Sequence, residues 1–476
     1  MLVALLVYFA VLLLVSFLTG GGGNDAFFRG NRRSPWMPVA FGMVGASISG
    51  LTFIGVPGWV MGIDMTYMQM CLGFVVGYVL VAFVLLPIYY RLGLTSIYTY
   101  LDRRLGRTSY RTGAWFFIGS KMAGAAAKFY VVVEVLQTCF ADAYGVPYGV
   151  TAVAALLFIW LYTRRGGIRT LVWTDVLQTF VLIAALLVIL LKVCGLLGMG
   201  FPEAMEVVWK DPHSRMFEFG DFASKQNFWK QFLSGVFIVV VMTGLDQDMM
   251  QKNLTCRNLR SAQWDMCCYG VLFVPVNFLF LSLGVLLLML YGKWGMILPE
   301  SGDALLSNMV CSGALGEFAL GCFTIGVVAS AFSSADSSLT ALTTCYCVDI
   351  ADFESSAKQS QKQKREVVHL CMMSVFLLCT LAFHAFGSGS VMDLIYTLVG
   401  YTYGPLLGLF TFGIFTKRKP REKMVPFIAA ASPAVCYLTD FLTYTLTGYR
   451  FGYELLMFNG LLTFAGLWLT SKRPAS

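Results

Sequence analysis

Residues 42–58 read GMVGASISGLTFIGVPG, a stretch of nearly membrane-spanning length in which glycines, Ser47, Ser49, Thr52 and Pro57 crowd a helix that should be apolar. Glycine and proline let such a helix open, and opened backbone leaves carbonyls without partners. Free carbonyls suit a hard cation, which prefers oxygen ligands. The same small residues also serve close packing between helices, so this segment by itself supports both readings.

The surroundings of this segment set its solvent. The chain has 476 residues, is 58% hydrophobic and 13% charged, and has a mean hydropathy of +0.71. Such a composition excludes an ordinary water-soluble protein. In hydrocarbon, backbone groups must be satisfied within the protein, so only helices or closed barrels span. Continuous apolar runs such as Val181 to Leu191, without ten-residue alternation, select helices. The expected fold is therefore an all-α, polytopic membrane protein in which lipid is a partner.

Thirteen spans are expected, centred near residues 10, 48, 78, 126, 155, 182, 240, 278, 329, 376, 403, 434 and 460. Leu2 to Thr19 has no basic start and no small-residue cleavage site, so it reads as a span and not as a signal peptide. Most of the 34 basic residues fall in alternate loops: Arg29 to Arg33, Arg91 to Arg111, Arg164 to Arg169, Lys252 to Arg260, Lys358 to Arg365, Lys417 to Lys423, and Lys472 with Arg473. Basic loops mark the cytoplasmic side. The expected location is the plasma (inner) membrane, with the N-terminus outside and the C-terminus cytoplasmic. Residues 200–230 read as an outer loop with an interfacial helix, and Asp352 to Arg365 as a solvated inner linker.

The net charge of +8 is distributed in those short clusters and forms no nucleic-acid surface. The thirteen cysteines lie mostly inside apolar runs without paired CxxC units, and His213, His369 and His384 are the only histidines. A disulfide framework, a zinc site and a haem site are not expected.

Two further segments carry polar atoms beyond what packing needs. In Ala329 to Thr344 (ASAFSSADSSLTALTT), Ser330, Ser333, Ser334 and Ser337 recur at helical spacing and form a hydroxyl stripe beside Asp336. Hydroxyl glue between helices explains the serines but not a carboxylate in the bilayer, which demands a cation, a partner or water. Asp175, in Trp173-Thr174-Asp175, fits either an interfacial pairing with Arg169 or a ligand role. Lys121 and Lys128 lie seven residues apart on one face of the fourth span. Each fits substrate contact or structural pairing, Lys128 with Glu134 or Asp336 as candidate partners.

Five segments occur here in an order that resembles the sodium:solute symporters, which include sodium/glucose, sodium/proline and sodium/sialic acid cotransporters. They are GASISGLTFIG (Gly45 to Gly55), LLPIYYRLGLTSIYTYLDRRLG (Leu85 to Gly106), WTDVLQ (Trp173 to Gln178), GLDQDMMQKNL (Gly244 to Leu254) and SAFSSADSSLTAL (Ser330 to Leu342). The resemblance implies the LeuT-type fold, with two five-helix inverted repeats, each beginning with a broken helix. On this chain that means a single transporter domain over 1–476, with a leading helix at 1–20, repeats at 36–200 and 228–416, and two trailing helices at 424–470.

The resemblance further implies a sodium ion held by the carbonyls of Gly45, Ile48 and Ser330 and the hydroxyls of Ser333 and Ser334. A second sodium would use Asp175, Ser333, Asp336 and Ser337. The substrate pocket would comprise Ser47, Ser49, Thr52, Gln69, Lys121 and Gln247. Lys121 matches the position where sialic acid carriers place an arginine for the carboxylate. The implied function is sodium-coupled import of a small polar or anionic metabolite by alternating access: a sugar, a sugar acid such as sialic acid, an amino acid or a carboxylate. Proton coupling on the same fold and a non-transporting membrane sensor are the alternatives; no kinase-like extension follows Ser476. An intramembrane enzyme would need a nucleophile with its base, or metal ligands, and no HExxH or GxSxG occurs.

Overall fold

A computed structural model of the chain describes residues 2–20, 24–222, 224–353, 358–386 and 391–472. Among these residues there are helices and two isolated bridges, Ser34 with Cys256 and Lys419 with Lys472, but no strands. The helices used below are α1 (Leu2–Thr19), α2 (Trp36–Ser47), α3 (Gly50–Ile63), α4 (Tyr67–Leu80), α5 (Arg107–Leu136), α6 (Tyr148–Gly166), α7 (Ile168–Leu197) and α8 (Phe201–Lys210). After the long loop come α9 (Phe228–Val239), α10 (Gln247–Asn253), α11 (Leu259–Trp294), α12 (Asp303–Cys311) and α13 (Glu317–Cys345). The remainder is α14 (Lys358–Phe386), α15 (Val391–Phe415), α16 (Val425–Thr447) and α17 (Leu455–Thr470).

Among the described residues, eight helices are long and apolar enough to cross a bilayer. Two bent pairs and three shorter apolar helices, Leu5–Thr19, Tyr148–Thr163 and Leu455–Thr470, add to these. The bends are abrupt: α2 meets α3 at 62°, and the α9 span meets α10 at 70°. Two expected span centres, residues 48 and 240, fall at or beside these breaks. The outer surface is studded with exposed Leu6, Phe17, Phe83, Phe180, Phe427 and Leu469, as lipid-facing helices require.

α7 packs on α2 and α13, and α9 packs on α4. Close approach depends on missing side chains at two places. A Cβ on Gly45 would lie 2.0 Å from Thr179 Oγ1 of α7, and one on Gly58 would lie 1.8 Å from the Gly302 carbonyl oxygen. Small residues set the distance between these elements, as in other membrane bundles.

One sequence expectation holds and two change here. α8 is the expected helix of the 200–230 loop, and it ends at Lys210. The inner linker is shorter than read: residues 354–357 lie outside the described residues, and helix α14 already begins at Lys358. Lys252, counted with the basic loops, is 1% exposed and lies inside the fold; Arg473 lies outside the described residues.

Candidate functional site

The α2–α3 break is built from extended backbone. Ile48 has φ −81° and ψ 84°, and Ser49 has φ −70° and ψ 165°. The Ser49 N–H donates to the Ser47 carbonyl at 3.1 Å instead of reaching back to Gly45. The helical ladder is thereby interrupted, and carbonyls at the end of α2 are released from it. Ser334 of α13 crosses to this point and donates to the Ala46 carbonyl at 3.2 Å. Gly50 sits against the Val327 carbonyl and Ser330, so the serine ridge of α13 faces the break.

The second break is closed differently. Tyr89 donates to the Gly244 carbonyl at 2.8 Å, and Tyr98 donates to that of Leu245 at 2.8 Å. Tyrosines of the first half therefore satisfy the oxygens that this kink exposes. Asp246 caps α10 by accepting from the Asp248 N–H at 2.8 Å. At the first break, by comparison, a released carbonyl is met by a serine of α13, Ser334 donating to Ala46.

Between the two breaks lies a cavity of about 150 Å³. Its lining includes Ser47, Ser49, Thr52, Lys121, Lys128 and Ser334. Thr52 and Ser49 lie 3.4 Å apart through their hydroxyls, and Ser47 meets the Tyr269 hydroxyl. Tyr269 in turn accepts from Tyr78 at 2.7 Å.

The two cavity lysines have different environments. Lys121 Nζ lies 3.0 Å from Asp246 Oδ2 and 2.7 Å from Asp248 Oδ2, and Tyr403 adds a 2.8 Å hydrogen bond to Asp246. Its charge is already matched by two carboxylates. Lys128, half-buried and one heptad along α5, has no hydrogen bond or ion pair among the described residues. Neither partner considered from the sequence reaches it. Glu134 pairs with His384 at 2.5 Å, and Asp336 accepts from Tyr162 at 2.6 Å.

Two pocket candidates point elsewhere. Gln69 donates to the Gln226 carbonyl at 2.9 Å and accepts from the Glu218 N–H at 2.9 Å, so it fastens the long loop. Gln247 accepts from the Ile97 N–H at 2.9 Å and donates to the Thr95 carbonyl at 3.0 Å. Both amides bond to backbone through their oxygen and their nitrogen, and neither lines this cavity.

Asp175 is 1% exposed and lies 2.8 Å from the Lys252 ammonium, which supplies the partner left open between Arg169 and a bound ion. Its other oxygen accepts from Ser333 at 2.6 Å. Ser337 donates to Asp336 at 3.2 Å, while Ser330 donates within its own helix to Val327 at 2.9 Å. The sequence reading assigned no role to Asp246 or Asp248 and counted Lys252 only as a loop cation. Two aspartates two residues apart beside a glycine, inside an apolar run, were a signal that buried cations had to meet them.

The other titratable groups are structural in placement. His369 lies between Thr343 at 2.8 Å and Thr163 at 3.3 Å, and His384 stacks on Tyr148 at 3.7 Å between ring centroids. Cys71, Cys345 and Cys347 are buried free thiols, whereas Cys311 is disulfide-bonded.

The sequence profile of the sodium:solute symporter family matches residues 27–422. The chain is 27% identical over 430 residues to the human sodium/iodide cotransporter, a match covering 86% of this chain and 65% of that protein. It is 25% identical over 429 residues to the sodium/sialic acid symporter of Proteus mirabilis, covering 86% and 84%. The human sodium-coupled monocarboxylate transporter 1 is 24% identical over 430 residues, covering 86% and 68%. Among solved structures, the fold superimposes on a substrate-bound, outward-open sodium-coupled sialic acid symporter with a TM-score of 0.81, at 19% identity over 99% of this chain and 98% of that one. A nucleobase-cation-symport-1 transporter in a closed conformation gives 0.54 at 14% identity, covering 95% of each chain. Both carry the LeuT-type fold.

Proposed function

Because the chain belongs to the sodium:solute symporter family, we propose that it couples downhill sodium entry to import of a small anionic metabolite by alternating access. The observation that carries this reading is the unpaired Lys128 ammonium in the wall of a cavity bordered by the opened α2–α3 backbone. A half-buried cation at membrane depth without a partner is costly, and an anionic solute relieves that cost. The sodium ion is assigned to the carbonyls of Gly45, Ile48 and Ser330 and the hydroxyls of Ser333 and Ser334. Ser334 already bridges α13 to the break. A cation at this place draws α13 toward α2, and only a state that binds sodium better can be favoured by it.

Cavity size narrows the substrate class. A space of about 150 Å³ is what benzene fills in an engineered protein core, so the present cavity suits an anion of roughly that size. A short monocarboxylate or a halide fits this volume, and a nine-carbon sugar acid requires the cavity to widen. The pocket hydroxyls Ser47, Ser49 and Thr52 orient such a solute, while Lys121 holds its wall through Asp246 and Asp248.

Orientation follows the basic loops: N-terminus outside and C-terminus cytoplasmic in the plasma (inner) membrane. The disulfide at Cys311 supports this, since the segment after α11 then faces the oxidising side. The repeats are assigned to 36–200 and 228–416, each opening on a bent span. A potential of 100 mV contributes about 2.3 kcal/mol per charge carried inward, enough for substantial accumulation.

The test is uptake into proteoliposomes of iodide, a three-carbon monocarboxylate and sialic acid under sodium, potassium or proton gradients. Uptake of one of the small anions driven by sodium is expected. Accumulation that follows a proton gradient and ignores sodium would instead favour proton coupling.

A further inference from the structure

The family resemblance carries an expectation of a second sodium ion at Asp175, and the residues around this carboxylate do not fit one. Asp175 Oδ2 lies 2.8 Å from Lys252 Nζ, and Oδ1 accepts from Ser333 at 2.6 Å. The other oxygens of the expected site are engaged as well. Asp336 accepts from Tyr162 at 2.6 Å and from Ser337 at 3.2 Å.

We propose that the Lys252 ammonium stands in for a second sodium ion at Asp175, so that the chain binds a single sodium per cycle. This inference rests on the sodium-coupled reading above. A monovalent ammonium has the same charge as sodium and lies 2.8 Å from a carboxylate oxygen of Asp175, so it neutralises that group by charge. It is covalently attached and pays no entropy of capture. Both groups are buried, each 1% exposed, so a second cation beside them would meet an unscreened like charge.

The position of Lys252 gives the pair a mechanical role. Lys252 lies on α10, just beyond the second break, whereas Asp175 lies on α7. Asp248, one turn before Lys252, accepts from Ser338 of α13 at 3.2 Å. α10 is thus attached to α7 and α13, the two helices that flank the first break. In this chain a fixed ion pair performs the joining that a second mobile ion would perform.

The experiment is equilibrium binding of radiolabelled sodium to the purified full-length chain in detergent, at constant ionic strength with choline chloride and no solute. One ion per chain with a Hill coefficient of one is expected. Two ions per chain in the wild-type protein overturn the inference and leave the sodium-coupled reading intact, whereas no bound sodium overturns both. Lys252→Met exposes Asp175 and is expected to raise the count to two; a folded variant that stays at one overturns the inference. The neutral pair Lys252→Met with Asp175→Asn removes both members of the ion pair together. It is expected to keep one ion at unchanged affinity, and loss of that ion would place the sodium at Asp175 and overturn the proposal.

Discussion

The Ser334 hydroxyl donates to the Ala46 carbonyl at 3.2 Å, joining the serine ridge of α13 to the unwound end of α2. In the proposed sodium site Ser334 is a ligand beside this contact, so ion binding and the approach of the two helices would become one event.

Ser334→Ala is expected to raise the half-saturating sodium concentration by about 5- to 30-fold, the equivalent of roughly 1–2 kcal/mol for one hydrogen-bonding oxygen. Ser330→Ala is the control, because its hydroxyl already bonds Val327 within its own helix. Sodium titrations of solute uptake for both variants check this. Equal sodium affinity in Ser334→Ala and wild type would remove that ligand.

Lys128→Met is expected to weaken anion affinity by about 10- to 100-fold, in line with roughly 1.5–3 kcal/mol for a hydrogen bond to a charged group. Stabilisation of the chain by sodium alone should persist. Half-saturation of anion uptake, measured beside a sodium-dependent melting shift, separates the two effects. Recovery in Lys128→Arg would show that charge is the property required.

Lys121→Met should behave in the opposite manner. It leaves Asp246 and Asp248 without their shared cation, and such losses cost roughly 3–5 kcal/mol. A large drop in melting temperature is expected, with equal loss for anionic and neutral solutes. Adding Asp248→Asn should restore part of the stability. A variant of normal stability that selectively loses anions would return Lys121 to the substrate site.

Gly58→Ala tests the contact between α3 and the segment before α12. The new methyl would meet the Gly302 carbonyl at 1.8 Å, so the two backbones must part. Overpacking of this kind costs about 1–3 kcal/mol. Gly62→Ala, which meets nothing within 4 Å, should leave stability unchanged. Melting curves of the two variants give the comparison.

Much of the architecture could be read in advance, because each apolar run needs lipid and each basic cluster needs water. The α2–α3 break was legible for the same reason: glycine, serine and proline inside an apolar run have few purposes other than opening or close packing. Pairing was less legible. Gln69 and Gln247 looked like pocket amides, yet long-range backbone contacts claimed them. Lys252 looked like a loop cation because one sequence position cannot reveal that a 70° turn carries it inward. The Lys121 and Lys128 assignments separated only when the two aspartates of α10 came within 3.0 Å of Lys121.

Gln69 binds both the Glu218 N–H and the Gln226 carbonyl, and Arg215 adds a 3.1 Å pair to Asp64 at the start of the same span. The long loop is consequently clasped to α4 as a stiff handle. An antibody fragment raised against that folded loop would ride with α4 through every conformation. It would therefore serve as a fiducial for aligning single-particle images of the protein.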